Sequence, residues 1–387
     1  MSRHIRRVTT FVAVAAIFAV SGCGLPSDND SLNGDPAELP TPIPTASNAQ
    51  IDDKLPYDAA DPTTWTDRQL VAQTIFQCAP VSNIGALSQA VRKGLGGVVL
   101  LGGVAPNNFA QQITKLVERS GDHVAPLIAS DEEGGAVQRL ADVIYPLQSA
   151  ETMGTWSESE VTRTAAKYGK AMKELGVDMA LSPVADLNSP GHFIGSQSRA
   201  FSSTPSGAAR SAIAWATGLE SVGVAPVIKH WPGHGRATDT HYSPGIIPAY
   251  DQLQKSDLVP FDRAIAAGFT AVMVGHLESK GLTERGVPAS RSPKALAILR
   301  DHIGPDGLII TDSLSMNAAL VGVNHRPGEA VLASLDAGVD VALICSGPSD
   351  IVERVVTRIS PDGLTRDDLI DKVKRILAWK KRFGVIE

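Results

Sequence analysis

The sequence predicts an α/β fold, a single (β/α)8 TIM-type barrel over residues 61–387 of the 387 in the chain. Three observations predict it. Short apolar runs alternate with helical stretches, the pattern of parallel βα units. The runs number eight, which closes a barrel, and the length suits a barrel with insertions. Polar, titratable residues gather just after the runs, at the strand ends where a barrel carries its chemistry and a packed core would not want them. A doubly wound open sheet is the alternative.

The predicted strands are 74–78, 97–101, 126–130, 177–182, 225–229, 270–275, 308–311 and 340–345. A short helix at 66–73 opens the domain, with Thr66-Asp67 as its cap. Further helices are expected at 84–93, 107–119, 158–175, 205–222, 253–267, 291–302 and 328–337, with two more at 348–359 and 365–382. Strand one ends at Cys78 and strand two runs into Gly102-Gly103. Strand three ends in Asp131-Glu132-Glu133-Gly134-Gly135. Strand four leads to Asp186, Asn188 and later Arg199. Strand five gives Lys229 and His230, six gives His276, seven gives Asp312, and eight ends at Cys345.

Residues 1–22 read as a lipoprotein signal peptide. Arg3, Arg6 and Arg7 precede an apolar stretch from Phe11 to Val20, too short to span a bilayer comfortably. Val20-Ser21-Gly22-Cys23 resembles a bacterial lipobox, which implies cleavage before Cys23 and acylation of that residue. A plain secretory signal or an uncleaved anchor is the other reading. Acyl chains bind a membrane with about 0.8 kcal/mol per buried CH₂. The expected location is therefore extracytoplasmic, lipid-anchored to the cell membrane. Residues 23–60 are expected to be the acylated cysteine and a disordered linker, rich in Pro, Asp, Ser and Asn, that buries too little to offset chain entropy. Such a coil reaches roughly 35 Å.

Composition excludes some classes. The signal removes three of the 35 Lys and Arg and none of the 41 Asp and Glu, leaving 32 against 41, a formal −9. That balance disfavours nucleic acid as a partner. Of three cysteines, Cys23 is assigned to lipid, so Cys78 and Cys345 form no disulfide framework and lack zinc spacing. Gly94-Leu95-Gly96-Gly97 precedes its strand, so it is not a dinucleotide fingerprint. There is neither a P-loop nor a G-x-S-x-G elbow.

The densest chemistry lies in Lys229-His230-Trp231-Pro232-Gly233-His234-Gly235-Arg236-Ala237-Thr238-Asp239-Thr240-His241. His230, His234, Asp239 and His241 are all metal-ligand types. Pro232 and Gly233 separate the first two, so they do not share a helix face as zinc-protease histidines do. No metal or organic cofactor is expected. His234 best fits a loop residue satisfying local hydrogen bonds. Asp239 and His241 are one residue apart and able to pair, which fixes a tautomer and makes His241 a credible general acid/base. Asp312, after an apolar strand, is either a helix N-cap or a nucleophile. Asp131-Glu132-Glu133 is either a helix start or a ligand site that Gly134-Gly135 lets approach the backbone. Arg139 and Arg199 offer forked donors for hydroxyls or carboxylates.

Together these motifs resemble the family 3 glycoside hydrolases, specifically the bacterial exo-β-N-acetylglucosaminidases of cell-wall turnover. Asp131 to Gly135 with Val137-Gln138-Arg139-Leu140, then Ser198-Arg199-Ala200-Phe201, Lys229 to Gly235, Asp239-Thr240-His241, and Ile310-Thr311-Asp312-Ser313-Leu314-Ser315-Met316 occur in the family's order. The resemblance implies retaining removal of terminal β-linked N-acetylglucosamine. It implies Asp312 as nucleophile, His241 paired with Asp239 as acid/base, and Asp131, Arg139, Arg199, Lys229 and His230 as sugar-binding residues. A histidine in place of one carboxylic acid departs from the two-carboxylate scheme.

The expected partner is an N-acetylglucosamine-containing saccharide or muropeptide, met by a monomer at the membrane. Two alternatives stand beside this one. A phosphorylase of the same fold would use phosphate in place of water. A non-catalytic cell-wall-binding lipoprotein would bind saccharide without turnover. Cys78 and Cys345 fall at the ends of strands that a closed barrel makes neighbours, so a disulfide and two separate buried thiols are both open.

Overall fold

The computed structural model describes residues 58–387. The signal peptide, Cys23 and the linker as far as residue 57 lie outside the described residues. The eight barrel strands, in order, are Ile75–Pro80, Gly97–Leu101, Leu127–Ser130, Met179–Ala180, the two pieces Ala225–Pro226 and Ile228–Trp231, Ala271–Val274, Leu308–Thr311 and Ala342–Ile344. Strand five is divided next to Pro226, which has no N–H to give a ladder.

All neighbouring barrel strands pair parallel. One sheet runs eight-one-two-three-four-five, and a second runs from the later piece of five through six to seven. A parallel bridge between Ile310 and Val341 joins seven to eight, and one between Val184 and Lys229 continues four against five. The ring is therefore closed, which settles the choice against the open sheet.

Alternation along each strand divides the core into layers. Leu308 and Ile310 face the barrel interior with Phe76, Val99 and Met273, whereas Ile309 faces the surrounding helices. Trp379 and Phe383, at the end of the helix Arg366–Arg382, pack onto the interior cluster. Gly97 lies opposite Phe76, whose ring would meet an added Cβ at 2.7 Å, so only glycine admits that ring.

The helices follow their sequence signals. Thr66 caps Asp67–Thr74 in a capping box with Gln69, and Ser157 does the same for Glu158–Glu174 with Glu160. The expected helix 253–267 divides into Tyr250–Leu253 and Val259–Ala266, the second opened by Pro260. Asp131 to Gly135 does not start a helix. Glu132–Gly134 instead pairs antiparallel with Val137–Gln138, and Gly134 and Gly135 turn the chain at φ of +89° and +59°. A β-carbon on Gly134 would stand 2.2 Å from the Gln148 carbonyl oxygen.

Cys78 and Cys345 are disulfide-bonded, with 4.5 Å between their Cα atoms, and join strand one to the end of strand eight. Among the described residues, no helix is long and apolar enough to cross a membrane.

Candidate active site

Past the end of strand three the chain stays extended, so successive side chains point to opposite sides. Asp131 and Glu133 turn towards strand five, where Lys229 reaches them both, with Nζ 2.6 Å from Asp131 Oδ1 and 2.6 Å from Glu133 Oε1. Arg199 forks onto Glu133 through Nε at 2.7 Å and a terminal nitrogen at 2.9 Å. Burial works to raise the Glu133 carboxyl, but Arg199 and Lys229 outweigh it and hold it well below the usual carboxylate range. Burial likewise opposes the Lys229 ammonium, and Asp131 and Glu133 overcome it and raise its pKa. Arg139 donates to Asp131 Oδ2 at 3.3 Å, while its Nε is buried without a partner among the described residues and is free to meet a ligand.

Glu132 points the other way. Its carboxyl takes hydrogen bonds from Ser130 Oγ at 2.5 Å, Tyr168 Oη at 2.7 Å and the Arg139 amide at 3.3 Å. Burial raises its pKa to about 7, against the pull of those hydroxyls. The group ties the hairpin that carries Arg139 to the barrel wall.

His230 and His234 share one anchor. Asp186, fully buried, accepts from His230 Nδ1 at 2.7 Å and from the His234 amide at 2.6 Å. Burial raises the Asp186 carboxyl, and His230 and His234 together bring it below its ordinary value. An ionised Asp186 only accepts, so His230 carries its proton on Nδ1 and keeps Nε2 for other work. Burial, then His230, lowers the His234 ring to about 4, so it is neutral at neutral pH. Its Nε2 shares a 3.0 Å hydrogen bond with Thr240 Oγ1. His234 was expected as a loop residue satisfying local hydrogen bonds; it opens the short 3-10 turn His234–Arg236 and makes that one side-chain bond, its Nδ1 having no partner among the described residues.

Asp312 follows strand seven directly and caps no helix; its Oδ1 accepts from the next amide, Ser313, at 2.7 Å. Burial tends to raise it, but His230, the Ser313 amide and Lys229 bring it down to about 2. It is an ionised, partly open carboxylate. His276 supports it from strand six. The Ser313 carbonyl can only accept, so His276 Nε2 donates to it at 2.9 Å, and Nδ1 takes the Ser290 hydroxyl at 2.8 Å.

Asp239 and His241 do pair: His241 Nδ1 lies 2.7 Å from Asp239 Oδ1, which also accepts the His241 amide at 3.0 Å. The pair leaves Nε2 as the proton-exchanging atom. The turn is docked on the segment after Asp312, where the Asn317 amide meets the His241 carbonyl at 3.4 Å and the Ala318 amide meets that of Thr240 at 3.3 Å.

One cavity of about 500 Å³ is lined by all eight of the expected residues, Asp131, Arg139, Arg199, Lys229, His230, Asp239, His241 and Asp312, together with Phe193 and Tyr242. Among the described residues, no group of three or more His, Cys, Asp or Glu is arranged to hold a metal ion. The sequence marked Asp186 and His276 only as strand-end residues and Glu133 only as part of an acidic run, with no individual role, and gave Thr240 none. Glu133 was legible through parity, because in an extended segment it shares the side of Asp131. The other three are fixed by tertiary pairing, which no local signal marks.

The sequence profile described as "Glycosyl hydrolase family 3 N terminal domain" matches residues 85–379. The chain is similar to a Beta-hexosaminidase of Stenotrophomonas maltophilia strain K279a, 34% identical over 303 residues, covering 74% of this chain and 86% of that one. It is also similar to Beta-hexosaminidase LpqI of Mycobacterium tuberculosis, 32% identical over 344 residues, covering 86% and 85%. Among solved structures, a glycosyl hydrolase of family 3 from Mycobacterium smegmatis superposes with a TM-score of 0.74 at 30% identity, covering 82% of this chain and 98% of that one. Fold, site geometry and these matches agree that the chain belongs to glycosyl hydrolase family 3.

Proposed function

We propose that this enzyme, a β-N-acetylglucosaminidase, removes terminal β-linked N-acetylglucosamine from peptidoglycan-derived saccharides with retention of configuration. Relatives named Beta-hexosaminidase at 32–36% identity support the enzyme class. The observation that carries the mechanism is one cavity lined by an ionised, charge-supported Asp312 and by the Asp239–His241 pair.

In the first step Asp312 attacks the anomeric carbon, and the bond from that carbon to the leaving oxygen breaks. His241, as imidazolium, gives its Nε2 proton to that oxygen. In the second step imidazole takes a proton from water, the water oxygen attacks the same carbon, and Asp312 leaves as carboxylate. Positive charge on the sugar ring in both transition states is met by the Asp312 carboxylate. Asp131, Arg139, Lys229, Arg199 and His230 surround the place the sugar takes, with fixed charge and the free Arg139 Nε. The lipobox-like Val20-Ser21-Gly22-Cys23 belongs to the same proposal, an enzyme lipid-anchored through Cys23 outside the cell membrane. Cys23→Ala is expected to move it from the membrane to the soluble fraction.

Hydrolysis of an aryl N-acetyl-β-glucosaminide tests the activity. A 2-fluoro sugar is expected to leave an adduct that peptide mass spectrometry maps to Asp312, and Asp312→Ala should lose about 10⁴-fold or more in kcat. Full activity in Asp312→Ala would sink the mechanism. Sugar 1-phosphate formed in phosphate buffer would redirect it to phosphorolysis.

A further inference from the structure

Exposure along the cavity lining rises from floor to mouth. Lys229 and His230 are 2% and 4% exposed, the His241 side chain 57%, and Tyr242 78%. Tyr242 is one of three exposed large apolar residues in the described chain, with Val104 and Ile246, and of these only it lines the cavity. A single exposed apolar side chain is ordinary. An exposed aromatic ring next to the group that protonates the leaving oxygen is not explained by packing, since it packs on little. Its ring centroid stands 6.4 Å from that of His241, the rings at 51° to each other.

The direction of the substrate follows from exo cleavage. The terminal sugar fills the floor, between Asp312 and the Asp131–Lys229 set. Everything beyond the scissile oxygen must leave through the mouth, past His241. Two aromatic rings stand there: Phe193, 6.0 Å from the His241 ring but already covered by Arg199 at 5.7 Å, and the open Tyr242. We propose that the Tyr242 ring is the platform for the leaving-group sugar, stacking on the C–H face of a second pyranose and so selecting saccharide aglycones over small ones. This rests on the glycosidase reading above. An aromatic face suits the task because it buries apolar area at little entropic cost, with two χ angles to fix.

The platform acts only while the aglycone is bound. It therefore speeds formation of the glycosyl-enzyme and not its hydrolysis, which occurs after the aglycone has gone. The test compares two substrates, N-acetylglucosaminyl-β-1,4-N-acetylmuramic acid and methyl N-acetyl-β-glucosaminide, whose methyl group is too small to cover the ring. In Tyr242→Ala, the ratio of kcat/KM for disaccharide over methyl glycoside is expected to fall about tenfold, or about 1.4 kcal/mol. In Tyr242→Phe it should stay within about twofold. An unchanged ratio in Tyr242→Ala overturns the proposal, as does an equal fall for both substrates, which would make the ring a support of the loop.

Calorimetric Kd values for the same two ligands, measured on Asp312→Ala with and without Tyr242→Ala, give the ratio without turnover. Binding with an unchanged ratio overturns the platform alone. Binding with the expected ratio but no hydrolysis by the wild type keeps the platform and overturns the catalytic reading. No binding of either ligand overturns both.

Discussion

Asp131, Glu133 and Lys229 stand at or just past strand ends, Arg199 stands on the loop after strand four, and they are held by ion pairs, three of them at 2.6–2.7 Å, with Lys229 2% exposed. Asp239 and His241 stand on a turn across the same cavity, their side chains 27% and 57% exposed. The turn is docked by two backbone hydrogen bonds of 3.3 and 3.4 Å and by Thr240. One side of the site is fixed by charges in a dry wall. The other is placed by a few weak contacts beside water. The first suits the proposed sugar recognition, because preorganised groups cost no reordering when the ligand arrives. The second suits the proposed acid/base, which meets water in the second step.

Breaking the rigid side should therefore cost stability as well as activity. Lys229→Met leaves Asp131 and Glu133 facing each other with one cation fewer, and removal of one partner from a buried pair costs about 3–5 kcal/mol. Urea unfolding is expected to show that loss; a change below 1 kcal/mol would mean the wall relaxes. Breaking the exposed turn should do the reverse. His241→Ala should lower kcat/KM about 10³-fold on saccharides with poor leaving groups and far less on activated aryl glycosides. Its unfolding midpoint should stay within about 0.5 kcal/mol, as for an exposed site. Equal losses on both substrate types would remove His241 from acid catalysis.

The pH dependence of stability sharpens the contrast, because on each side burial shifts one group against its charged form. Glu132, beneath the rigid side, goes from 4.5 to about 7 on folding, so its contribution is full below 4.5 and is lost as pH rises through about 7. His234, at the base of the turn, goes from 6.5 to about 4, so its contribution is present above 6.5 and is lost as pH falls through about 4. Each spans about 3 kcal/mol, with opposite sign, over nearly the same window. The difference from wild type should then rise between pH 4.5 and 7 for Glu132→Gln, and fall between pH 4 and 6.5 for His234→Gln. Urea midpoints across pH 4–8, taken as variant minus wild type, measure both slopes. Parallel curves would mean that neither group is shifted.

The closed barrel was legible because each strand is a short apolar run bounded by a helix signal, and eight such runs leave few ways to pair. Strand five was less so, since Pro226 divides it. The eight lining residues were legible through strand-end position and through motifs whose order the resemblance supplied. What was not legible is who holds them. Asp186 reaches His230 across 44 residues and Arg199 reaches Glu133 across 66, and such partners follow from the ring of strands closing. The Asp131–Gly135 hairpin was hidden because a run of acids before glycines is equally a helix start. The Cys78–Cys345 bond was open for the same reason as the ion pairs, since it depends on strands one and eight meeting.

The smallest effect probes the seam between the two sides. Thr240 lies between Asp239 and His241 but is 1% exposed; its hydroxyl meets His234 and its carbonyl takes the Ala318 amide. His234 Nδ1 has no partner among the described residues, so Thr240 holds the ring's other nitrogen alone. Thr240→Val keeps the shape and removes the hydroxyl, which leaves a buried ring nitrogen unmet at about 1–2 kcal/mol. The backbone contacts to Asn317 and Ala318 remain, so the turn should loosen without leaving the cavity. The rate on saccharides is then expected to fall about three- to tenfold, the rate on activated aryl glycosides to hold within about twofold, and Thr240→Ser to restore both. That split would show that the turn is aimed through Thr240. An equal fall on both substrates would place the effect in the fold and not in the aim of His241. No fall on either would mean that the Asn317 and Ala318 amides dock the turn unaided, and that the acid/base side is held more firmly than its exposure suggests.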